Sequence, residues 1–397
     1  MQIGVPRETL PGESRVALTP DVVPQLVRLG HSVMVEREAG DRAGFTDDAY
    51  RASQAQIVDD PATLYAAAEM ILKIQRPSIA DAGNSGGRAE LEQINEGAVL
   101  IGLLQPAADP EFFRRAAARR ITALSMELVP RTTRAQMMDA LSSQSTVAGY
   151  KAVLIAANAL PKFFPMLMTA AGTVRPARVL VIGAGVAGLQ AIATARRIGA
   201  VVEAFDTRPV VKEQVQSLGA TFIELGVGHD QAQDAGGYAK ELSQEHIQKE
   251  KELIHERATQ ADVIITTALI PGKRAPVLVS AATVAAMRPG SVIVDLAGEQ
   301  GGNCELTVPG ETVERNRVTI ISPLNISSDL AFHASQMYSR NVTALIALLA
   351  PDGKLALNLD DDIISAVCIT ANGEIRHGPT RDRLAAASSL ATTGATS

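Results

Sequence analysis

The sequence predicts an α/β protein: two doubly wound parallel sheets joined by long helices around a cleft. Three observations carry that expectation. Short apolar strands alternate with helical stretches over the first 130 residues, and a second alternating series begins near residue 178. Between and after the two series lie long stretches with helical patterning, Arg131 to Ala159 and His333 to Ala350. Strand–helix alternation of this kind implies parallel strands with helices on both faces.

The first series opens with QIGVP as a strand. TPDVVPQLVRLG follows as a helix, with Thr19 as its cap, Pro20 in its first turn and Gly30 at its end. SVMVER, AEMILKI, GAVLIGLL and ITALSMEL continue the pattern, and no glycine fingerprint interrupts it. Arg131 to Ala159 reads as a polar loop entering a long helix. Six strands then follow: RVLVI, VVEAF, ATFIE, DVIITT, SVIVDL and RVTII, the number in a complete Rossmann-like domain. The helix HASQMYSRNVTALIALLA ends before Pro351-Asp352-Gly353. ALNLDDDIISAVCITANGEIRHG reads as a small hairpin turning at Ala371-Asn372-Gly373, and AAASSLATTGATS as a disordered low-complexity tail. The expected organisation is therefore one domain over 1–130, completed by about 351–380, and another over 142–332. Residues 131–141 and 333–350 link them, and 381–397 form the tail.

At 397 residues, 46% apolar and 20% charged, the chain has a globular composition with room for two cores. A net charge of −6 argues against nucleic acid as a partner, because phosphate backbones require a basic surface. Two separated cysteines, Cys304 and Cys368, fit a reducing compartment rather than a disulfide framework. The histidines and cysteines lack paired spacing, so no metal is expected. MQIGVPRE reads as a strand rather than a leader. The apolar stretch from Ala152 is broken by Pro161, Lys162 and Pro165, which is too short for a span of about 20 residues.

Chemistry concentrates in the stretch VLVIGAGVAGLQ. Gly183, Gly185 and Gly188 form G-x-G-x-x-G directly after a strand and before a helix. Gly183 permits a tight turn, Gly185 lets backbone approach a pyrophosphate, and Gly188 lets helix and strand pack closely. Backbone around Ala184 and Val186 then points free N–H groups at the phosphates. Asp206 ends the next strand, where an acid would bond both ribose hydroxyls, with Thr207 beside it. Arg208 would suit a 2′-phosphate, but Asp206 would repel one, so NAD(H) is expected over NADP(H).

From Met1 to about Gly378 the chain resembles two related families. One is alanine dehydrogenase; the other is the NAD(H)-binding component of proton-translocating nicotinamide nucleotide transhydrogenase, its alpha subunit or domain I. The shared pattern stands here as RETLPGESRVALTPDVV and includes Arg15, which in alanine dehydrogenase looks toward the substrate carboxylate. An amino-acid dehydrogenase also needs a placed acid/base. Where that family carries a Lys, this chain has Gln75, and where it carries a His, Gln105. Neither glutamine exchanges protons near neutral pH, and Arg15 and Lys73 would remain as structural residues. Direct hydride transfer between two nicotinamides needs no such group. It needs two ring carbons held about 3–3.5 Å apart in a dry site.

The resemblance to transhydrogenase is most specific in RTTRAQMMDALSSQSTVAGYKAV. It implies that Arg131, Thr132, Thr133, Gln136, Asp139 and Ser142 serve the nicotinamide end. Arg131 and Asp139, with Ser142, would orient carboxamide and ribose, while Gln136 would face the second nucleotide. The residues alone also allow Arg131 and Asp139 to be ordinary helix-end residues with Ser142 as a cap. DAGGYAKELSQEHIQKEKELIHE resembles the family's closing loop, with Gly237 and Tyr238 against the nucleotide; its charged remainder reads as a solvated helix. TTALIPGKRAP sets Thr267, Ala268 and Leu269 over the nucleotide, and Asp295 reads as structural. The resemblance implies hydride delivery from NADH to NADP(H) on a partner component and proton passage through membrane-spanning subunits. It also implies peripheral docking at the cytoplasmic face of the inner membrane, and a homodimer. An amino-acid dehydrogenase with a shifted catalytic pair and a non-catalytic NAD(H)-sensing module remain as other readings.

Overall fold

The computed structural model describes residues 1–79, 89–224, 244–270 and 273–393. The chain divides into two compact units, Met1–Gln144 with Ser328–Ser397, and Ser145–Ser327. Both are α/β, so the expected fold class holds in each.

In the first unit, β1 (Gln2–Val5), β2 (Ser32–Glu36), β3 (Gln56–Val58), β4 (Met70–Gln75), β5 (Val99–Leu103) and β6 (Thr122–Ser125) lie parallel in the order β3-β2-β1-β4-β5-β6. The strand direction of winding reverses at β1, which makes the sheet doubly wound. Its central strands are near-continuous apolar runs because helices cover both faces, and Ile3, Val5, Met70, Leu72 and Ile101 are buried. β3 was not expected. It is a three-residue edge strand with only Val58 buried, too short to display an alternation.

The helix Ala331–Leu349, expected as a connection, belongs to this core: Tyr338, Val342, Leu345 and Ile346 are buried with β1 and β4 residues. Tyr338 donates its hydroxyl proton to the carbonyl of Lys73 at 2.8 Å. The stretch after residue 356 is half helix and half hairpin. Asp361 caps a helix over Asp362–Val367 through the N–H groups of Ile363 and Ile364. β16 (Cys368–Ala371) and β17 (Glu374–Ile375) then pair antiparallel across Asn372 and Gly373, both at positive φ. The helix Gly378–Thr393 replaces most of the expected disordered tail. Its alanines favour helix, and Thr380, fully buried, accepts or donates a 2.8 Å bond with His377 Nδ1. The first helix of the chain starts as a 3-10 turn at Pro20–Val22, and Thr19 does not cap it. The Thr19 hydroxyl bonds Asp21 Oδ1 instead, at 2.6 Å.

In the second unit, β7 (Leu167–Thr169) and β8 (Gly172–Val174) form a separate two-stranded hairpin. The main sheet contains β9 (Arg178–Ile182), β10 (Val201–Phe205), β11 (Thr221–Ile223), β12 (Val263–Thr266), β13 (Val292–Asp295), β14 (Thr312–Arg315) and β15 (Val318–Ile321). Its order is β11-β10-β9-β12-β13-β15-β14. The six expected strands are present and parallel, with the reversal at β9. β14 is a seventh, antiparallel edge strand, and its exposed TVER residues carry no strand pattern. Asn316 and Arg317, both at positive φ, make the primed two-residue turn into β15. Among the described residues no helix is long and apolar enough to cross a membrane, and no His/Cys/Asp/Glu group could hold a metal ion.

Candidate functional site

The carboxyl edge of the second sheet collects the residues of the glycine turn. β9 runs into Gly183 at φ +96, a left-handed conformation that a side chain resists. A Cβ there would lie 2.7 Å from Thr267 Oγ1, and one at Gly188 would lie 1.8 Å from the Gly183 carbonyl oxygen. Those two glycines are demanded by the protein's own packing. Gly185 is different: its φ of −74 is ordinary, and a Cβ would meet nothing within 4 Å. The space above Gly185 is therefore open to a group from outside the chain. It sits at the start of the helix Val186–Arg197, whose first N–H groups have no intrahelical acceptor and carry a partial positive charge. That arrangement fits a pyrophosphate.

The turn is braced from three directions. The Gly183 N–H donates to the Phe205 carbonyl at 2.8 Å, and Thr267 Oγ1 donates to the Gly183 carbonyl at 3.0 Å. The Ala184 N–H donates to Asp206 Oδ2 at 2.7 Å. Asp206, at the end of β10, also receives a fork from Arg208, Nε to Oδ1 at 2.9 Å and Nη2 to Oδ2 at 2.8 Å. The pair is nearly enclosed, with 6% and 15% of the two side chains exposed. Arg208 is thus turned onto the acid rather than held ready for a phosphate. Thr207 between them is half-buried.

Two residues not picked out in the sequence belong to this edge. Asn303 is fully buried. It accepts the Ala268 N–H at 3.0 Å and donates to the Ala268 and Pro276 carbonyls at 2.8 Å, which fixes the loop after β12 and leaves Leu269 exposed. Asp295, expected as structural, holds Asn303 in turn. Its carboxylate accepts the N–H groups of Ala297, Asn303 and Cys304 and the hydroxyls of Thr266 and Thr307, at 2.6–3.0 Å. The only sequence signal for Asn303 was the preceding Gly301-Gly302, both at positive φ. The second is Glu250, a buried acid of the helix Gln244–Ala258. In the sequence it is one charge among many in QKEKELIHE, and nothing there distinguishes it from its solvated neighbours. Gly237 and Tyr238 lie outside the described residues.

In the first unit, the Arg131 segment is one pinned loop. Ala135 and Met138 insert into the core. Arg134 forks onto Asp361 at 2.7 and 2.8 Å, and Asn341 Nδ2 donates to the Met137 carbonyl at 2.8 Å. Arg131, Thr132, Thr133 and Gln136 are left exposed. Asp139, and not Ser142, supplies the cap of the helix Ala140–Ala159: it accepts the Ser142 N–H at 2.9 Å and its hydroxyl at 2.6 Å.

The same unit holds a buried charge cluster around Arg15, which is 4% exposed. Its Nε and Nη2 donate to the two Glu13 oxygens at 2.8 and 2.6 Å, and Nη1 donates to Gln144 Oε1 at 2.8 Å. Gln75 Nε2 donates to the same Glu13 carboxylate at 2.8 Å. Burial opposes the Glu13 charge, yet Arg15 holds its carboxyl down at about 2. Lys73, fully buried, lies 2.5 Å from Glu90 and 3.5 Å from Glu8. Burial works against the Lys73 charge, but the two acids outweigh it and raise its pKa. Gln105 is exposed at φ +51, its N–H donated to Glu127.

Two doubly wound parallel sheets, one carrying a braced glycine turn and an acid at the next strand end, define an α/β protein of the Rossmann type. Comparison with known proteins carries the assignment further. Residues 4–148 match the family model for the alanine dehydrogenase/PNT N-terminal domain, and residues 152–378 match that for the C-terminal domain. The chain belongs to the alanine dehydrogenase/PNT family. It is 48% identical over 383 residues to an NAD(P) transhydrogenase subunit alpha chain of Rhodospirillum rubrum, covering 95% of this chain and 98% of that one. It is 32% identical over 388 residues to alanine dehydrogenase of Bacillus subtilis, covering 95% and 93%. The crystal structure of transhydrogenase from Sinorhizobium meliloti matches with a TM-score of 0.83 at 40% identity, over 94% of this chain and all of that one.

Proposed function

We propose that this chain is the NAD(H)-binding alpha subunit of a proton-translocating NAD(P) transhydrogenase, an enzyme that needs partner subunits. When bound, the dihydronicotinamide supplies the hydride, which passes to NADP⁺ on a partner. The observation that carries this over an amino-acid dehydrogenase is the closure of Arg15 onto Glu13. A guanidinium already forked onto a buried carboxylate is not offered to a substrate carboxylate, and the neighbouring Gln75 and Gln105 exchange no proton. The 48% identity to an alpha subunit over nearly the whole of both chains supports the same reading.

Gly183, Ala184, Gly185, Val186 and Gly188 cradle the pyrophosphate, the open face of Gly185 giving it access. Asp206 accepts the adenosine ribose hydroxyls, flanked by Thr207 and Arg208. Leu269 provides an apolar contact, and Gly237 and Tyr238 close over the nucleotide. Arg131, Thr132, Thr133 and Gln136 serve the nicotinamide end, with Asp139 and Ser142 fixing their loop; Gln136 faces the partner's nucleotide. The exposed apolar residues Phe163, Met166 and Met168, at 58%, 58% and 78%, support a homodimer through the β7–β8 hairpin. Proton passage belongs to membrane-spanning partners, against which this subunit docks at the cytoplasmic face of the inner membrane.

The test mixes the chain with an NADP(H)-binding component and follows hydride exchange between NADH and an NADP⁺ analogue. Exchange should need both proteins, and Gln136→Ala should slow it at least about tenfold with NADH affinity within about twofold. Reduction of NAD⁺ by alanine with this chain alone would overturn the proposal, and NADH binding without exchange would leave a sensing module.

A further inference from the structure

The helix Gln244–Ala258 leads into β12, and as the crossover in a parallel sheet it runs opposite to the strands. Its beginning therefore lies at the carboxyl edge, beside the glycine turn. Ile254 and Ala258 pack in one core cluster with Phe205 and Ile223. Glu250 stands one turn before Ile254 on the same face, displaced about 6 Å toward that edge. That places it alongside Asp206, the residue following Phe205. Glu250 is only 6% exposed, and among the described residues its carboxylate has no hydrogen-bond or ion-pair partner. A buried acid without a partner is costly, and its retention calls for a role.

We propose that Glu250 is a specificity-determining residue, a second carboxylate at the adenosine-ribose site that excludes a 2′-phosphorylated dinucleotide. The proposal rests on the nucleotide reading above. Arg208 occupies the place from which an arginine would recruit a 2′-phosphate, but Asp206 neutralises it through the fork. Two acids against one guanidinium leave the edge negative. A phosphate would have to face Glu250, or draw Arg208 away and strand Asp206. A ribose diol offers two neutral donors and suits carboxylates. Burial, with the Asp206 charge adding to it, pushes the Glu250 carboxyl up to about 7. The charged groups facing it are Asp206, from the end of β10, and Lys251 on its own helix. On the following turns Arg257 lies 3.7 Å from Glu203, and His255 Nδ1 bonds Thr283 Oγ1 at 2.9 Å. Exclusion should therefore be strongest above pH 7.

The experiment titrates the full chain with NADH and with NADPH, by nicotinamide fluorescence, at pH 8 and pH 6. Wild type, Glu250→Gln and Glu250→Met are compared, with circular dichroism to identify any variant that does not fold. At pH 8 each folded variant should bind NADPH at least about tenfold more tightly than wild type, with NADH changed less than about twofold. At pH 6 the difference should narrow, because the wild-type carboxyl then carries a proton. If wild type binds NADH and the folded variants keep its NADPH-to-NADH ratio, or weaken both ligands together, the role given to Glu250 is wrong and the nucleotide reading stands. If wild type binds no NADH, the reading itself fails and this inference with it.

Discussion

Replacing Gly185 by alanine should remove nucleotide binding while leaving the fold intact. The new Cβ meets nothing within 4 Å and sits at φ −74, ψ −168, both acceptable to an L-residue. Restricting the unfolded chain stabilises by about 0.4–1 kcal/mol. Alanine is a poorer helix cap than glycine, which costs a similar few tenths to about 1 kcal/mol. The two nearly cancel, so the thermal midpoint should move by less than about 4 °C. Binding has no such compensation. A methyl over the turn keeps phosphate oxygens from the backbone N–H groups, and each charge-assisted bond is worth about 1.5–3 kcal/mol. Loss of two predicts at least about a hundredfold weaker NADH binding. Gly188→Ala is the opposite control: its Cβ would lie 1.8 Å from the Gly183 carbonyl oxygen. Backbone must move, at a cost of about 1–3 kcal/mol or more, and the midpoint should fall. Fluorescence titration beside thermal denaturation separates the two variants. A Gly185→Ala protein that unfolds easily, or binds NADH within about threefold of wild type, would refute the distinction between packing glycines and an access glycine.

Two further outcomes follow from the buried polar groups. Asp295→Ala leaves five donors without their acceptor in the interior of the second unit. It should lower stability by about 3–5 kcal/mol and the midpoint by roughly 10 °C, and a shift under about 2 °C in calorimetry would contradict the bracing role. Glu8 is raised from 4.5 to about 7, chiefly by burial, although Lys73 pulls the other way. An acid raised on folding contributes stability that is complete below its unfolded value and lost as pH rises through its folded one. Between pH 5 and 8 the wild-type midpoint should therefore decline by an increment that Glu8→Gln removes, and parallel wild-type and variant curves would refute this. Glu13, held at about 2, acts in the separate window below pH 4.5, where its stabilisation is lost on acidification.

Much of the fold was legible because its signals are short in range. The runs RVLVI, DVIITT and SVIVDL are apolar on both faces, as buried parallel strands must be, and all three form. Edge strands gave no such signal. β3 and β14 are three and four residues long and mostly exposed, so nothing in their composition separates them from loop. Thr19 and Ser142 were plausible caps by residue type, but capping depends on which neighbour's side chain reaches the N–H first: Thr19 turns to Asp21, and Asp139 serves the long helix. The alanine-rich end of the chain looked like a tail because low complexity hides helix propensity.

The sequence by itself determined the two strand–helix series, the position of the glycine turn and the acid after the following strand. Each of these depends on backbone sterics or side-chain periodicity within a few residues. Only the tertiary structure decided which charges meet. Arg15 reaches Gln144 across 129 positions of sequence. Arg208 is folded back on Asp206, and Glu250 is brought toward the same edge by the run of its helix. Electrostatic partnership depends on distance in space and on exclusion of water, and both are properties of the packed chain.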